Sequence, residues 1–146
     1  MIEDYHKARK AGRRQVSTAI VEGRHPFLPS LEELLEGGSG AMGGEVPMGI
    51  REIPLYLVAG TRTRGRSNVF SWDFLPIADE GTEFAGKWSD LFDAQMSEGI
   101  RDPVVVYEYL QRFYVQEGNK RVSVLRSLGA PSVTASITRV MPRPTD

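Results

Sequence analysis

The pattern of hydrophobic and polar positions divides the chain into a helical first part and a longer part in which strands and helices alternate. Residues 3–22 are rich in Ala, Lys, Arg and Glu, and their few apolar positions fit one narrow buried stripe of a helix. Two prolines interrupt that pattern, and Ser30 with Glu33 then has the sequence of a capping box. The pattern predicts a long helix followed by a short one that ends near Glu36.

A glycine-rich tract, residues 37–44, follows the short helix. Such a composition is typical of a mobile connection, and the character of the sequence changes near Val46. We therefore expect a helical N-terminal extension with a glycine-rich loop over residues 1–48 and a main domain over residues 49–146.

The main domain opens with an alternating pattern whose apolar side is formed by Ile53, Leu55 and Leu57. This alternation predicts a strand that runs to about Val58. Because proline cannot donate a ladder hydrogen bond, Pro54 places that strand at the edge of its sheet or at an irregularity.

A helix is predicted after Thr82, whose side chain can cap it. Its apolar positions recur at helical spacing, which is typical of a buried face rather than of a surface that stacks on bases. These positions are Phe84, Trp88, Leu91, Phe92 and Met96. Gly99 is expected to end the helix.

The last part of the chain predicts a hairpin, a helix and a final strand. The hairpin arms are residues 103–107 and 112–116, joined by a four-residue turn, and the final strand covers residues 133–138. The helix between them is expected to bury Val122, Leu125 and Leu128, with Gly129 in the left-handed C-terminal position. The fold class that follows is α+β, with a small mixed β-sheet and helices packed on it.

Composition restricts the chemistry. The 146 residues, 40% of them hydrophobic and 25% charged, suit one globular domain with a core. Because 18 basic residues face 19 acidic ones, any site for a polyanion must be local. The absence of cysteine excludes disulfides, thiolate catalysis and iron–sulfur ligation, and the two histidines have no partner at metal-ligand spacing, so no metal site is predicted. A polar start and no long apolar run predict a cytoplasmic protein without a membrane segment.

The segment around Gly118 carries the candidate chemistry. An alternating strand passes through this glycine into a helix whose first turn contains Lys120 and Arg121. A helix start has unpaired backbone N–H groups and about half a positive charge, so it favours a phosphate, and the two cations would add to that attraction. The pattern predicts a phosphate site at Gly118, Asn119, Lys120 and Arg121. A solvated helix start with two chance cations would have the same sequence.

Three local patterns in their order and spacing give a family resemblance. They are Glu52-Ile-Pro-Leu55, then Gly99-Ile-Arg-Asp-Pro-Val-Val-Val106, then Tyr114-Val-Gln-Glu-Gly-Asn-Lys-Arg121 followed by Gly129-Ala130. Over roughly residues 49 to 140 the chain resembles the ParB/sulfiredoxin superfamily, specifically its ParB-like N-terminal (ParB-like nuclease) domain.

The resemblance implies that the Gly-x-x-Arg turn binds nucleotide phosphates. It implies further contacts from Gly99, Ile100, Arg101 and Asp102 and from a loop arginine, for which Arg64 and Arg66 are the candidates. The implied ligand is a nucleoside triphosphate, CTP or ATP, with Mg²⁺ as a possible companion. Sulfiredoxins have a reactive cysteine where this chain has Asn119, which excludes reduction of a cysteine sulfinic acid. Glu117 is the candidate catalytic or magnesium-binding carboxylate.

Two function classes follow. The first is a nucleoside-triphosphate-responsive regulatory module, with NTP hydrolysis or phosphotransfer as an enzymatic version whose base would be Glu117, Asp102 or Glu98. The second is a nucleic-acid-associated regulator or ParB-like nuclease that grips a DNA backbone phosphate. In that version the basic tract over residues 7–14 adds DNA contacts. Whether the chain is an enzyme stays open, and an exposed edge strand with an amphipathic N-terminal helix favours a homodimer.

Overall fold

The computed structural model of the chain describes residues 2–36, 42–65 and 67–142. Its helices are α1 (Ile2–Val21), α2 (Leu31–Glu36), α3 (Glu83–Ser97) and α4 (Asn119–Ser127), and its strands are β1 (Met42–Pro54), β2 (Val58–Thr61), β3 (Val104–Tyr109), β4 (Arg112–Glu117) and β5 (Ser132–Pro142). Two short 3₁₀ turns cover Leu55–Leu57 and Ser67–Val69. Among the described residues, no helix is both long and apolar enough to cross a membrane.

The five strands form one mixed sheet in the order β1-β5-β3-β4-β2. Two pairs are parallel, β2 with β4 and β3 with β5, and the other two are antiparallel. The predicted α+β class, with a small mixed sheet, packed helices and a helical N-terminal part, is therefore confirmed. Because β2 and β4 run parallel, Thr61 lies beside Val115, and the loop after β2 starts next to the turn that leads into α4.

The main core lies on one face of this sheet, where α4 and residues around Phe70 and Phe74 cover the strands. A second cluster joins α1 to α3 and α4. At its centre, Trp88 is fully buried, its ring lies 5.4 Å from that of Tyr5, and its Nε1 donates to Ser123 Oγ at 2.8 Å. The N-terminal helix is thus packed on the same elements that carry the candidate site.

Predictions that rest on caps and glycines are confirmed. Ser30 Oγ accepts from the backbone N–H of Glu33 at 3.1 Å, and Thr82 caps α3 at 3.2 Å. Gly99 and Gly129 follow α3 and α4 in the left-handed conformation, with φ of +74° and +72°. The expected edge position of Pro54 is also confirmed, since β1 is an outer strand.

Three predictions about local structure are wrong. The strand expected to run to Val58 ends at Pro54, because Leu55 donates its N–H to Pro131 and the chain makes a 3₁₀ turn there. The hairpin turn consists of two residues, Leu110 and Gln111, both with positive φ, rather than four. The predicted burial is wrong at two positions, since Leu128 is 38% exposed and Met96, expected on the buried face of α3, is 64% exposed.

The glycine-rich tract is shorter than expected. Met42, Gly43 and Gly44 already belong to β1, whereas residues 37–41 lie outside the described residues. Since β1 also contains residues 48 and 49, it crosses the expected boundary between the N-terminal extension and the main domain. The division into those two parts stays a prediction.

Candidate functional site: a cleft at the start of α4

Gly118 is required at its position by backbone conformation and by packing. Its φ of +112° is in the region that favours glycine, and it is the residue that precedes the first turn of α4. A Cβ at Gly118 would lie 2.6 Å from Cγ1 of Val104 on the neighbouring strand. The glycine that the sequence associates with phosphate binding therefore also has a structural reason to be there.

The start of α4 is not capped by a side chain. The carbonyl of Gly118 accepts from the backbone N–H of Val122 at 2.9 Å, so the earlier N–H groups of the helix have no intrahelical partner. They border a cleft of about 380 Å³, called here the α4 cleft. It is lined by Leu91, Gln116, Glu117, Gly118, Asn119, Lys120 and Arg121.

Asn119 is a buried, half-satisfied amide on this cleft, with an exposed fraction of 9%. Its Nδ2 donates to Thr61 Oγ1 at 3.3 Å, and that hydroxyl donates to the carbonyl of Val115 at 3.1 Å. Its Oδ1 is buried and accepts no hydrogen bond within the described part of the chain. An unmet buried acceptor costs about 1 to 3 kcal/mol. Because Oδ1 is closed to solvent, a ligand donor would recover that loss only when the cleft opens around Asn119.

Arg121 contacts backbone carbonyls rather than acidic side chains. Its guanidinium donates to the carbonyl of Ile100 at 3.2 Å and to the carbonyl of Asp102. Burial lowers the pKa of Arg121, and the nearby charge of Asp102 opposes that shift. The arginine therefore holds the loop between α3 and β3 against the first turn of α4, while Gly99 and Arg101 in the same loop are exposed.

Lys120 has a different environment from Arg121. Its Nζ lies 5.8 Å from the centre of the Phe84 ring, and within the described residues it forms no ion pair. The carboxylate of Glu117 is on the same cleft and is exposed. The pKa of Glu83 is lowered first by its hydrogen bond with Lys87, and the charge of Lys120 also helps to lower it. The first turn of α4 thus has one cation without an ion pair in the described part of the chain and one whose donors are used by backbone carbonyls.

The loop after β2 contacts one residue of the α4 cleft, Gln116, through an arginine that the sequence prediction did not choose and that itself lines a different cavity, beside Tyr107. Arg62 donates from Nη1 to Gln116 Oε1 at 2.9 Å, and its guanidinium lies 4.2 Å from the centre of the Tyr107 ring. Arg64 is exposed and its backbone N–H donates to Glu32, whereas Arg66 lies outside the described residues. The signal that could have identified Arg62 is its position directly after a strand.

The basic tract of α1 is only partly neutralised, because two of its five cations share one carboxylate. Arg9 and Arg13 each contact Oδ1 of Asp79 at 2.8 Å, and His6 contacts Glu80. Lys10 and Arg14 are exposed. DNA binding by this helix stays a prediction, and it would depend on fewer free charges than the sequence indicates.

A magnesium ion fits this site only as the companion of a nucleotide. Within the described residues no three His, Asp or Glu side chains are grouped closely enough to hold a metal. Mg²⁺ bound mainly through phosphate oxygens needs only one or two carboxylates, and Glu117 on the cleft could provide one.

Comparisons with known proteins give one similarity in structure. The chain is similar to the crystal structure of sulfiredoxin from Arabidopsis thaliana, with 27% sequence identity and a TM-score of 0.41 over 60% of this chain and 82% of that one. No protein-family model matches the chain, and no curated protein does. At this TM-score the similarity does not define the site, whose chemistry follows from the side chains described above.

Proposed function

We propose that the α4 cleft binds the phosphates of a nucleoside triphosphate and that the chain is a nucleotide-responsive regulatory module of the ParB/sulfiredoxin type. The observation that carries this proposal is the combination of an uncapped helix start with the buried, half-satisfied Asn119 on the same cleft. The first favours an anion, and the second favours a ligand that also has a hydrogen-bond donor. A nucleotide has both an anionic group, its phosphates, and hydrogen-bond donors on its sugar and base.

The residues of the cleft have separate roles in this proposal. The backbone N–H groups at the start of α4 and the ammonium of Lys120 bind the phosphates. Arg121 is a positioning residue, because its donors hold the carbonyls of Ile100 and Asp102. Asn119 accepts from a hydroxyl or amino group of the ligand. Binding would order the loops after β2 and α3 around the phosphates, which is how a regulatory change would arise.

Hydrolysis or phosphotransfer would require a carboxylate base near the phosphates. Of the three candidates from the sequence, Glu117 lines the α4 cleft, whereas Glu98 ends α3 and the backbone of Asp102 is held by Arg121. Glu117 is therefore our candidate both for this role and for contact with Mg²⁺. When bound with the nucleotide, the ion would neutralise part of the phosphate charge.

Thermal unfolding with inorganic triphosphate, ATP, CTP and GTP, each with and without Mg²⁺, tests the proposal. A ligand at about 100 times its Kd stabilises the folded state by about 2.7 kcal/mol, which raises Tm by several degrees for a domain of this size. Lys120→Gln should weaken binding about tenfold, whereas Arg14→Gln on the exposed part of α1 should not change it. No rise in Tm with any of these ligands would contradict the proposal.

The alternative of a DNA-binding regulator predicts a different result. Retention of DNA would fall steeply with added salt, with a slope set by the number of phosphates contacted, and no nucleotide would change Tm. The pairing of Arg9 and Arg13 with Asp79 gives this alternative less support. A nuclease version would also need metal ligands beyond the single carboxylate on the cleft.

A further inference from the structure

A second cavity lies at the other end of α4, between that helix and α1. Its volume is about 350 Å³, and it is bordered by α1, α3, the end of α4 and the loop near Asp73. Small-molecule sites in proteins begin at about this volume and usually combine apolar walls with a few polar groups. This cavity is separate from the α4 cleft and independent of the proposed function.

Most of the cavity wall is apolar. The residues that form it are Ala8, Ala11, Leu75, Phe92 and Leu128. Two small side chains on α1 leave the space open, and Leu128 is 38% exposed although it follows a buried helix face. An apolar group in this cavity would remove Leu128 and Phe92 from water, which is favourable in proportion to the area covered.

The polar side chains that line the cavity differ in whether they already have hydrogen-bond or ion-pair partners. The side chain of Arg126 is 18% exposed, its Nη2 donates to the carbonyl of Val58 at 2.9 Å, and its Nη1 lies 3.5 Å from Asp73 Oδ1. That carboxylate also accepts from Gln15 at 3.2 Å. Asp4 on the wall takes part in an interaction of its own. Lys7, by contrast, is exposed and forms no ion pair within the described residues.

Asp4 and Asp73 therefore already have partners. Lys7 has no ion pair within the described residues, and the contact of Arg126 with Asp73 is long, at 3.5 Å. With Asp4 and Asp73 the formal charge of the cavity is zero, so an anion would be held by the donors of Lys7 and Arg126, and a carboxylate can accept from both. We propose that this cavity binds a small molecule with an apolar body and one carboxylate. The carboxylate lies between Lys7 and Arg126, and the apolar body lies against Phe92 and Leu128.

Hexanoate is a suitable probe, with hexanamide and hexylamine as uncharged and cationic counterparts of similar length. In amide NMR spectra, hexanoate should shift the signals of Ala11, Ser127 and Leu128 with a Kd of about 1 mM, which is reasonable for so small a ligand. Hexanamide and hexylamine should bind at least about tenfold more weakly. Equal binding of all three compounds, or no change with hexanoate up to about 10 mM, would overturn the proposal.

Two variants and one control test the proposal without changing Arg126, whose hydrogen bond to Val58 also contributes to folding. Ala11→Leu fills the cavity and should abolish the shifts caused by hexanoate. Lys7→Gln should raise its Kd several-fold, whereas Lys10→Gln, the same change on an exposed part of α1 outside the cavity, should leave Kd unchanged. Retained binding in Ala11→Leu, or the same Kd in the two lysine variants, would show that hexanoate binds elsewhere.

Discussion

The basic face of α1 and the first turn of α4 both have adjacent cations, and their surroundings are opposite. On α1, Arg9 and Arg13 share the carboxylate of Asp79. On α4, Lys120 forms no ion pair among the described residues, and Arg121 donates to backbone carbonyls. The number of cations in a segment therefore does not indicate an anion site. What matters is whether a cation without an acidic partner also lies beside other donors, as Lys120 lies beside the uncapped backbone N–H groups at the start of α4.

This difference gives the two helices different roles. Arg9 and Arg13 attach α1 to the loop before α3, so these two charges act within the molecule, while Lys7, Lys10 and Arg14 are exposed on its surface. The start of α4 keeps its attraction for an external anion. The two regions nevertheless share the cluster around Trp88, which contacts Tyr5 on one side and Ser123 on the other.

The largest expected effect comes from removing that shared contact. Trp88→Ala should lower the free energy of unfolding by about 3 to 5 kcal/mol, because a fully buried ring is replaced by a cavity and Ser123 loses its donor. Urea unfolding measures the change. Met96→Ala on the exposed side of the same helix is the control, with an expected change within about 0.5 kcal/mol. A similar loss of unfolding free energy in Trp88→Ala and Met96→Ala would mean that the cluster around Trp88 does not join α1 to α4.

Gly118→Ala tests whether the start of α4 depends on packing as well as on backbone conformation. The new Cβ would be strained by the positive φ and would meet Val104, so we expect a loss of about 2 to 5 kcal/mol. Gly129→Ala, at a φ of +72° with no atom beyond its chain neighbours within 4 Å of the new Cβ, should cost only about 1 to 2 kcal/mol. Equal losses by urea unfolding would show that the contact with Val104 is unimportant.

Tyr5→Phe tests how α1 is held at high pH. Burial raises the pKa of Tyr5 to about 12, so the neutral phenol is favoured in the folded state. Its stabilising contribution is complete below the ordinary tyrosine pKa of about 10 and is lost as pH rises toward 12. Wild type should be about 1 kcal/mol more stable than Tyr5→Phe near neutral pH, through the hydrogen bond to Ala78, and this advantage should disappear in alkali.

Urea unfolding at a series of pH values measures that advantage. Tyr56→Phe, on a side chain that is 77% exposed, is the control and should show no such dependence. An advantage that stays constant through the alkaline range would contradict the expected ionisation.

Asp79→Asn should release Arg9 and Arg13 of α1 from their shared carboxylate. Because the shared carboxylate is 75% exposed and water screens it, stability should change by about 1 kcal/mol or less. Nonspecific DNA binding should strengthen, and the slope of its logarithm against log salt should become steeper by one to two, since about two arginines become available. Fluorescence anisotropy over a salt series measures this. Asp90→Asn changes the net charge equally, so an equal effect there would exclude release of Arg9 and Arg13 as the cause.

Local signals allowed much of the fold to be predicted. The caps at Ser30 and Thr82 and the glycines after α3 and α4 act within a few residues, so the sequence alone identifies those helix ends. The end of β1 was missed because it depends on a hydrogen bond between Leu55 and Pro131, far apart in the chain. The two-residue hairpin turn lacked the glycine that normally indicates positive φ.

The sequence was enough to predict where the candidate site lies, but not which residues its side chains contact. The start of α4 follows from Gly118 and the pattern around it. The partners of its side chains come from other strands and loops: Asn119 meets Thr61, and Arg121 meets Ile100. Those contacts depend on parallel pairing of β2 with β4 and on the path of the loop before β3, which residue spacing does not specify.

The edge of β1 limits how a second chain could extend the sheet. At the opposite edge, Thr61 of β2 donates its backbone N–H to Pro29, so that side is partly covered. On β1 the register shifts between Met42 and Glu45 and again between Pro47 and Gly49. Regular spacing for an added strand is longest over Gly49–Pro54, and this stretch ends in a proline that has no N–H to donate, so backbone pairing alone would give few hydrogen bonds. The expected homodimer would therefore need side-chain contacts beyond this edge.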